Sequence, residues 1–300
     1  KTPLGPDVDL RIIARGTPGF SGAELANLVN EAALMAARVG RRFVTMADFD
    51  EARDKVMMGP ERRSMVMSDD EKKMTAYHEA GHALLALVLP KHDPVHKATI
   101  IPRGQALGMV QPLPENDRLS YHKDQMEQMS AMAMAGKAAE IVKFGAESVS
   151  GGAASDIQQA SRIARTMVMR LGMSDKVGNI DYAEAAEGYS GNTGGFSVSA
   201  KTKETIEEEV KRIVEDGFQL AIKTLTEQNV EFERIAQGLL EYETLSGDEL
   251  KRVMNGEPPH KDDDDDDGAV EEKPSLTAIP KTKPKAKPGG DGGMEPEPSA

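Results

Sequence analysis

The chain of 300 residues has no cysteine and no tryptophan, and only 4% of its residues are aromatic. Without cysteine it forms no disulfides and offers no thiolate ligands, so any metal ion must be bound by His, Asp or Glu. This composition points away from structural zinc fingers and towards an open catalytic site. The core must consist mainly of aliphatic side chains and of the 17 methionines, which fill irregular gaps between helices.

Long hydrophobic runs and basic stripes are also missing. No apolar run reaches the roughly 18 residues that a membrane-spanning helix needs, and the longest candidate, residues 83–89, ends at Pro90. The formal net charge is −13, and no basic stripe is present to neutralise phosphates, so nucleic-acid binding is disfavoured. No signal peptide is visible in these residues. We expect an upstream portion in the parent protein, so the missing membrane segment says little about that parent.

Capping signals and turn residues divide the chain into four parts. Ser21 can cap a helix with apolar residues at helical spacing that runs to about Val39, and Thr45, with Asp48 three positions on, opens a second helix. Gly59-Pro60 marks the end of this helical unit. Six consecutive aspartates and alternating Lys and Pro make the last part too polar to fold. The expected parts are a helical unit over 1–58, a linker over 59–67, the main domain over 68–255 and a disordered tail over 256–300.

The main domain is predicted to be mainly α-helical. Ser68 and Glu71 form a capping box, and the helix that they begin ends near Leu89. The β-branched and apolar runs at 97–101 and 107–111 flank a Pro-Arg-Gly turn, which predicts a short hairpin or sheet. Other predicted helices cover about 120–144, 155–171, 201–229, 231–242 and 246–254, with a loop at 188–195.

The strongest chemical signal is the motif that contains His78, Glu79 and His82. Residues four apart lie on one face of a helix, so both imidazoles can bind one zinc ion at about 2.0–2.1 Å. Glu79 can then act as general base towards a zinc-activated water. The alternative is a solvated helix face with two incidental histidines. Gly81 weakens the helix by about 1 kcal/mol relative to alanine, which indicates a close contact there.

A catalytic zinc ion needs a third protein ligand, and no third histidine follows His82 within a few residues. Spacing does not choose among the candidates Asp93, His96, Glu140, Glu147 and Asp156. Asp156 has one local argument, because it begins a helix after the small residues 151–155, which leave room for an ion. A carboxylate in a first helical turn is equally well explained by the helix dipole.

Four segments resemble, in the same order, motifs of the FtsH family of ATP-dependent zinc metalloproteases. They are Pro18-Gly19-Phe20-Ser21-Gly22-Ala23-Glu24-Leu25 with Asn30-Glu31-Ala32, Tyr77-His78-Glu79-Ala80-Gly81-His82-Ala83, Ala98-Thr99-Ile100-Ile101-Pro102-Arg103-Gly104 with Ala106-Leu107-Gly108, and Gly151-Gly152-Ala153-Ala154-Ser155-Asp156-Ile157. The resemblance extends over about residues 1–255. It implies that His78, His82 and Asp156 bind Zn²⁺ and that Glu79 is the general base.

The resemblance also implies a setting for the chain. Residues 1–58 would be part of the C-terminal helical lid of an AAA ATPase module, ahead of a helical zinc peptidase domain. The parent protein would be a homohexamer on the cytoplasmic face of the bacterial inner membrane, attached through its missing N-terminal region. It would degrade unfolded membrane and soluble proteins. The phosphate-binding loop motif is absent from these 300 residues, so ATP is expected as a cofactor of the full-length parent only, and the fragment itself is expected to be soluble.

Two alternatives bear on these expectations. The runs at 97–101 and 107–110 would lie beside the cleft, where an edge strand can pair with an extended substrate, but an ordinary hairpin explains them equally well. The chain can also be a non-catalytic assembly or docking module of the same fold. Inactive relatives would be expected to lose the general base or a histidine, and Glu79 and both histidines are present.

Overall fold

The computed structural model describes residues 2–62, 64–65, 67–114, 120–182 and 198–260. Its N-terminal part contains the helices α1 (Leu10–Arg15), α2 (Gly22–Arg38) and α3 (Met46–Met58). Capping boxes begin α2 and α3, where the side chains of Ser21 and Thr45 accept hydrogen bonds from amides three residues on, and Glu24 and Asp48 bond back. Ser21 and Thr45 therefore cap the two helices, as predicted, and the return bond of Glu24 to Ser21 adds to that prediction.

The rest of the described chain is mainly helical, as predicted. Its elements are α4 (Asp69–Val88), β1 (Val95–Thr99), β2 (Met109–Pro112), α5 (Lys123–Ala133), α6 (Ala135–Phe144), α7 (Ala154–Met169), α8 (Ala200–Glu227), α9 (Asn229–Tyr242), β3 (Thr244–Ser246) and α10 (Gly247–Met254). Among the described residues, no helix combines the length and apolar character needed to cross a bilayer. The predicted loop at 188–195 and the predicted tail beyond residue 260 lie outside the described residues.

One small antiparallel sheet has the strand order β2-β1-β3. Strands β1 and β2 form the predicted hairpin, with Lys97 opposite Gln111. Strand β3 was not predicted, because it has only three residues and is paired through contacts distant in sequence, such as Ala98 with Leu245. Strand β2 therefore lies at an edge of the sheet.

The single helix predicted from Ser120 to Phe144 is wrong, because the chain forms two helices, α5 and α6, that meet at Met134. Met134 has φ −88° and ψ −1°, whereas a regular helix has ψ near about −42°. Its amide still donates to the carbonyl of Ser130. The hydrogen-bond ladder therefore passes through the break, and the apolar spacing of the sequence gives no sign of it.

Helix α4 lies in the main hydrophobic core and packs against α6, α9 and β1. Its buried side chains Leu84 and Leu85 meet Phe232 of α9 in this core. A separate cluster, which includes Leu28 and Phe49, joins the helices of the N-terminal part. Charged side chains of α3 connect that part to the sheet.

Candidate metal centre

Helix α4 carries the His-Glu-x-x-His motif through the core. The predicted capping box of Ser68 and Glu71 begins this helix. At Gly81 the neighbouring helix α6 is so close that an added Cβ atom would lie 2.6 Å from Cβ of Ala139 and 2.7 Å from the carbonyl oxygen of Ala135. The close contact predicted at this glycine is confirmed, and it sets the distance between α4 and α6.

Three side chains, His78, His82 and Asp156, bring one donor atom each to a common point. Nε2 of His82 lies 3.3 Å from Nε2 of His78 and 3.3 Å from Oδ2 of Asp156, and Nε2 of His78 lies 3.1 Å from the same oxygen. Tetrahedral ligands at about 2.0–2.1 Å from zinc are about 3.3–3.4 Å apart, so the triangle fits a zinc ion. Within the described residues, this donor cluster is the only group of three or more such side chains that could hold a metal.

The outer ring nitrogens of both histidines have acceptors that fix the orientation of the rings. Nδ1 of His78 donates to Oε1 of Glu140 at 2.8 Å, and Nδ1 of His82 donates to the carbonyl of Met132 at 3.0 Å. Glu140 is buried and is itself held by the amide and hydroxyl of Ser150, at 2.6 and 2.9 Å. In the neutral form of each imidazole the proton is thereby placed on Nδ1 and Nε2 is the atom that can bind a metal, as is typical of histidine ligands and their carboxylate or carbonyl partners.

The charges of the donor cluster favour a cation. Burial opposes protonation of His78, but its hydrogen bonds with Asp156 and Glu140 outweigh burial and raise its pKa to about 10. Burial alone would raise the pKa of Asp156, but hydrogen bonds from His78 and His82 hold that pKa well below its usual range. The carboxylates therefore stabilise positive charge between them, and a metal ion at this point competes with the protons of the imidazoles.

The other candidates for a third ligand lie outside the donor cluster. Glu140 contacts Nδ1 of His78, so it orients a ligand from outside. Nε2 of His96 lies 3.4 Å from a carboxylate oxygen of α3. Glu147 is exposed in a 3-10 turn after α6, and Asp93 lies between α4 and β1. Asp156 therefore stays the predicted third ligand.

Glu79 lies beside the donor cluster and lines the same cleft, which has a volume of about 600 Å³. Glu79 is buried, and burial raises the pKa of its carboxyl. The nearby His82 and His78 act in the opposite direction, but the pKa stays above its usual value. The backbone at Gly108, just before β2, is in contact with it: an added Cβ atom there would lie 2.9 Å from Oε1 of Glu79. The cleft also includes the edge-strand residues Met109, Val110 and Pro112.

The roles of three residues near the site, Gly108, Gly136 and Ser150, were not predicted from the sequence, although Gly108 belongs to one of the segments that resemble the FtsH family. A Cβ atom on Gly136 would lie 2.3 Å from Nε2 of His78, so only glycine leaves room for this imidazole. Each of the three acts through a backbone approach or a hydrogen bond between elements distant in sequence. No spacing or local pattern could have identified them.

Comparison with known proteins assigns the family. The profile of peptidase family M41 matches residues 65–253, and that of the AAA+ lid domain matches residues 7–51. The first match covers more than half of the chain and includes the donor cluster and Glu79. The chain therefore belongs to peptidase family M41.

Similar curated proteins carry the name ATP-dependent zinc metalloprotease FtsH. The protein of Caulobacter vibrioides is 52% identical over 280 residues, which is 92% of this chain and 45% of that protein. The protein of Rickettsia bellii is 56% identical over 246 residues, 82% of this chain and 39% of the relative. These matches confirm the resemblance to the FtsH family, and they imply Zn²⁺ as the cofactor. The chain spans less than half the length of either relative.

Proposed function

We propose that the chain cleaves peptide bonds in unfolded proteins, with His78, His82 and Asp156 as the zinc ligands and Glu79 as the general base. The observation that carries the proposal is the triangle of donor atoms, 3.1–3.3 Å apart, next to a buried glutamate in the same cleft. When bound, zinc supplies Lewis-acid chemistry that polarises a carbonyl and acidifies water.

The protein groups have separate tasks in this reaction. A carboxylate oxygen of Glu79 takes a proton from the attacking water and later gives it to the nitrogen of the leaving amine. The raised pKa of Glu79 suits this exchange, because proton transfer is most efficient when the pKa of the base is near the working pH. Glu140 and Ser150 hold His78 in the tautomer that presents Nε2.

Strand β2 is the proposed docking edge for the substrate. It lies at an edge of the sheet and its residues Met109, Val110 and Pro112 line the cleft that contains Glu79. An extended peptide that pairs with such an edge gains main-chain hydrogen bonds without requiring a particular sequence. This mode suits a peptidase that acts on unfolded chains of many sequences.

The larger setting is also a proposal. The matches to an AAA+ lid domain and to the M41 family support a lid over 1–58, a linker over 59–67 and a peptidase domain over 68–255, followed by the acidic tail at 256–300. The name of the relatives supports an ATP-dependent parent protein. We further propose that the parent is a homohexamer on the cytoplasmic face of the inner membrane, anchored by a region outside this sequence, and that it degrades membrane and soluble proteins.

The test of the proposed function is cleavage of casein, an unfolded substrate, by the zinc-loaded chain. Glu79→Gln is expected to retain zinc and to lose about 10²–10⁴-fold in rate, because an amide does not accept the proton. Glu147→Gln, the same substitution at an exposed position, is the matched control and is expected to behave as wild type.

Three outcomes would contradict the proposal. A near wild-type rate for Glu79→Gln would remove Glu79 as the base. Cleavage that survives removal of zinc by a chelator would exclude a zinc-dependent mechanism. A zinc-loaded wild-type chain that does not cleave casein would favour the non-catalytic docking module.

A further inference from the structure

A group of buried and partly buried charges lies between helix α3 and the sheet. We call it the α3–sheet ion cluster; its members are Asp50, Arg53 and Asp54 of α3, His96 and Lys97 of β1, and Arg103. Within it, Lys97 and Arg103 both pair with Asp54, and Arg53 lies 3.2 Å from Asp50. Arg53 and Asp54 are only 2% and 1% exposed. The charges of Arg53 and Asp54 are therefore excluded from water, whereas the side chains of Asp50, His96 and Lys97 are partly exposed.

The cluster reaches the edge strand β2 through one side-chain contact. Nη2 of Arg53 donates to Oε1 of Gln111 at 3.1 Å. A second bond from the N-terminal part follows just beyond the strand, where Nε of Arg15 donates to the carbonyl of Pro114 at 2.8 Å. The N-terminal helices thus hold β2 near its C-terminal end from outside the sheet.

The opposite end of the same strand is in contact with the catalytic machinery. Gly108 immediately precedes β2, and its backbone lies against Cγ and Oε1 of Glu79 and against the carbonyl of Thr99. A displacement of β2 therefore changes the cleft in which Glu79 lies. A continuous set of contacts thus connects Arg53 to Gln111, runs along β2 to Gly108, and connects Gly108 to Glu79.

Burial of so many charges is not the most stabilising way to join α3 to the sheet, because apolar residues of similar volume often stabilise as well or better. Charged hydrogen bonds instead fix distance and direction, since each donor must face its acceptor. Burial alone would raise the pKa of Asp50, but the nearby His96 and the charge of Arg53 hold that pKa below its usual range, so Asp50 is ionised at neutral pH. The α3–sheet ion cluster is therefore suited to fixing the position of the sheet relative to α3.

We infer that Arg53, acting through Gln111, is a positioning residue for the peptidase cleft. It holds β2 where that strand receives an extended substrate, so the N-terminal helices form part of the substrate-binding apparatus. The inference rests on the proposed function, because it takes β2 as the docking edge. A contact that served only to join α3 to the sheet would affect stability and leave substrate binding unchanged.

The experiment measures KM and kcat of the zinc-loaded chain for an extended peptide substrate. Gln111→Ala removes the acceptor, and Arg53→Lys removes the planar fork but keeps the charge. Each is expected to raise KM about tenfold, as the loss of one hydrogen bond to a charged group does, with kcat and zinc content near wild type. Gln111→Glu, unlike Gln111→Ala, keeps a side-chain acceptor opposite Arg53, and its KM is expected to be near the wild-type value.

Lys55→Ala is the matched control, because Lys55 lies on the same helix but pairs with Glu31 of α2 and not with the sheet. Its KM is expected to equal that of the wild type. An unchanged KM in Gln111→Ala and Arg53→Lys would overturn the inference. So would an equal rise in Lys55→Ala, because general destabilisation would then explain the effect.

Hydrogen exchange at the amides of residues 109–111 separates this inference from the proposed function, since it needs no cleavage. Exchange is expected to be faster in Gln111→Ala and Arg53→Lys and unchanged in Lys55→Ala, because only the first two release β2. If the wild-type chain cleaves nothing, the proposed function fails while this measurement still tests how β2 is held. Unchanged exchange in all three variants would overturn the positioning role.

Discussion

The donor cluster and the α3–sheet ion cluster both consist of buried or partly buried ionisable side chains, but they balance charge differently. In the donor cluster, atoms of His78, His82 and Asp156 converge on one point. In the ion cluster, the guanidinium of Arg53 lies between the carboxylates of Asp50 and Asp54, and the ammonium of Lys97 pairs with Asp54. The first arrangement attracts a metal ion, and the second is already neutralised by the protein.

This difference explains why similar residue types give different sites. His96 and Asp50 form a His–Asp pair, as His82 and Asp156 do. The guanidinium of Arg53, however, lies 3.2 Å from the same oxygen of Asp50 that faces His96. A cationic side chain thus takes the place next to the carboxylate that a metal would need. The position of nearby Arg and Lys side chains, which composition does not reveal, separates a metal site from an ion pair.

The largest expected effect comes from removing one aspartate from each cluster. Asp156→Ala is expected to lose most of its zinc, because two imidazoles remain where a catalytic zinc needs three protein ligands. Asp54→Ala is expected to keep its zinc and to lose about 3–5 kcal/mol in free energy of unfolding, because the mostly covered ammonium of Lys97 and the buried Arg103 lose this partner. Metal analysis and urea denaturation measure the two effects. Normal zinc retention in Asp156→Ala would remove Asp156 from the site.

A smaller effect is expected when the space around His78 is reduced. Gly136→Ala places a Cβ atom on the imidazole, so we expect zinc content below that of the wild type and a stability loss of about 1–3 kcal/mol. Gly151→Ala is the control, because its added Cβ atom meets no atom within 4 Å. Equal zinc content in the two variants would show that the close approach of Gly136 does not determine metal binding.

The smallest of these effects is expected from Glu140→Gln, which keeps an acceptor for Nδ1 of His78 but removes the charge. Zinc affinity is expected to fall about 10–100-fold, as is usual when a partner of a ligating histidine is changed. Competition with a chromophoric chelator measures the affinity. An affinity equal to that of the wild type would mean that the charge of Glu140 contributes nothing to metal binding.

The sequence predicted those features that depend on neighbours in the chain. Caps at Ser21, Thr45 and Ser68 mark helix starts because all their atoms lie within one turn. The spacing of His78 and His82 places both side chains on one face of α4 for the same reason. The β1–β2 hairpin also follows from local residues, because a turn joins its two strands.

Features that depend on contacts between distant segments were not predictable from spacing. Strand β3 is defined only by its pairing with β1, which is distant in the sequence. The break at Met134 leaves the helical hydrogen bonds almost intact, so it has no clear sequence signal. Asp156 was one of five candidates until the family resemblance singled it out. The bond between Arg53 and Gln111 joins residues 58 positions apart, and neither side chain is unusual in its own segment.

The close approach at Gly81 has a consequence for tolerance to change in the core. Helices α4 and α6 meet there with no large side chain between them, since a Cβ atom would already collide with Ala139 and with the carbonyl of Ala135. The distance between His78 and Glu140 is thus set by direct backbone contact between α4 and α6. It does not depend on the sizes of the surrounding aliphatic side chains. Core residues such as Leu84 can vary in volume and alter the melting temperature while the metal geometry stays the same.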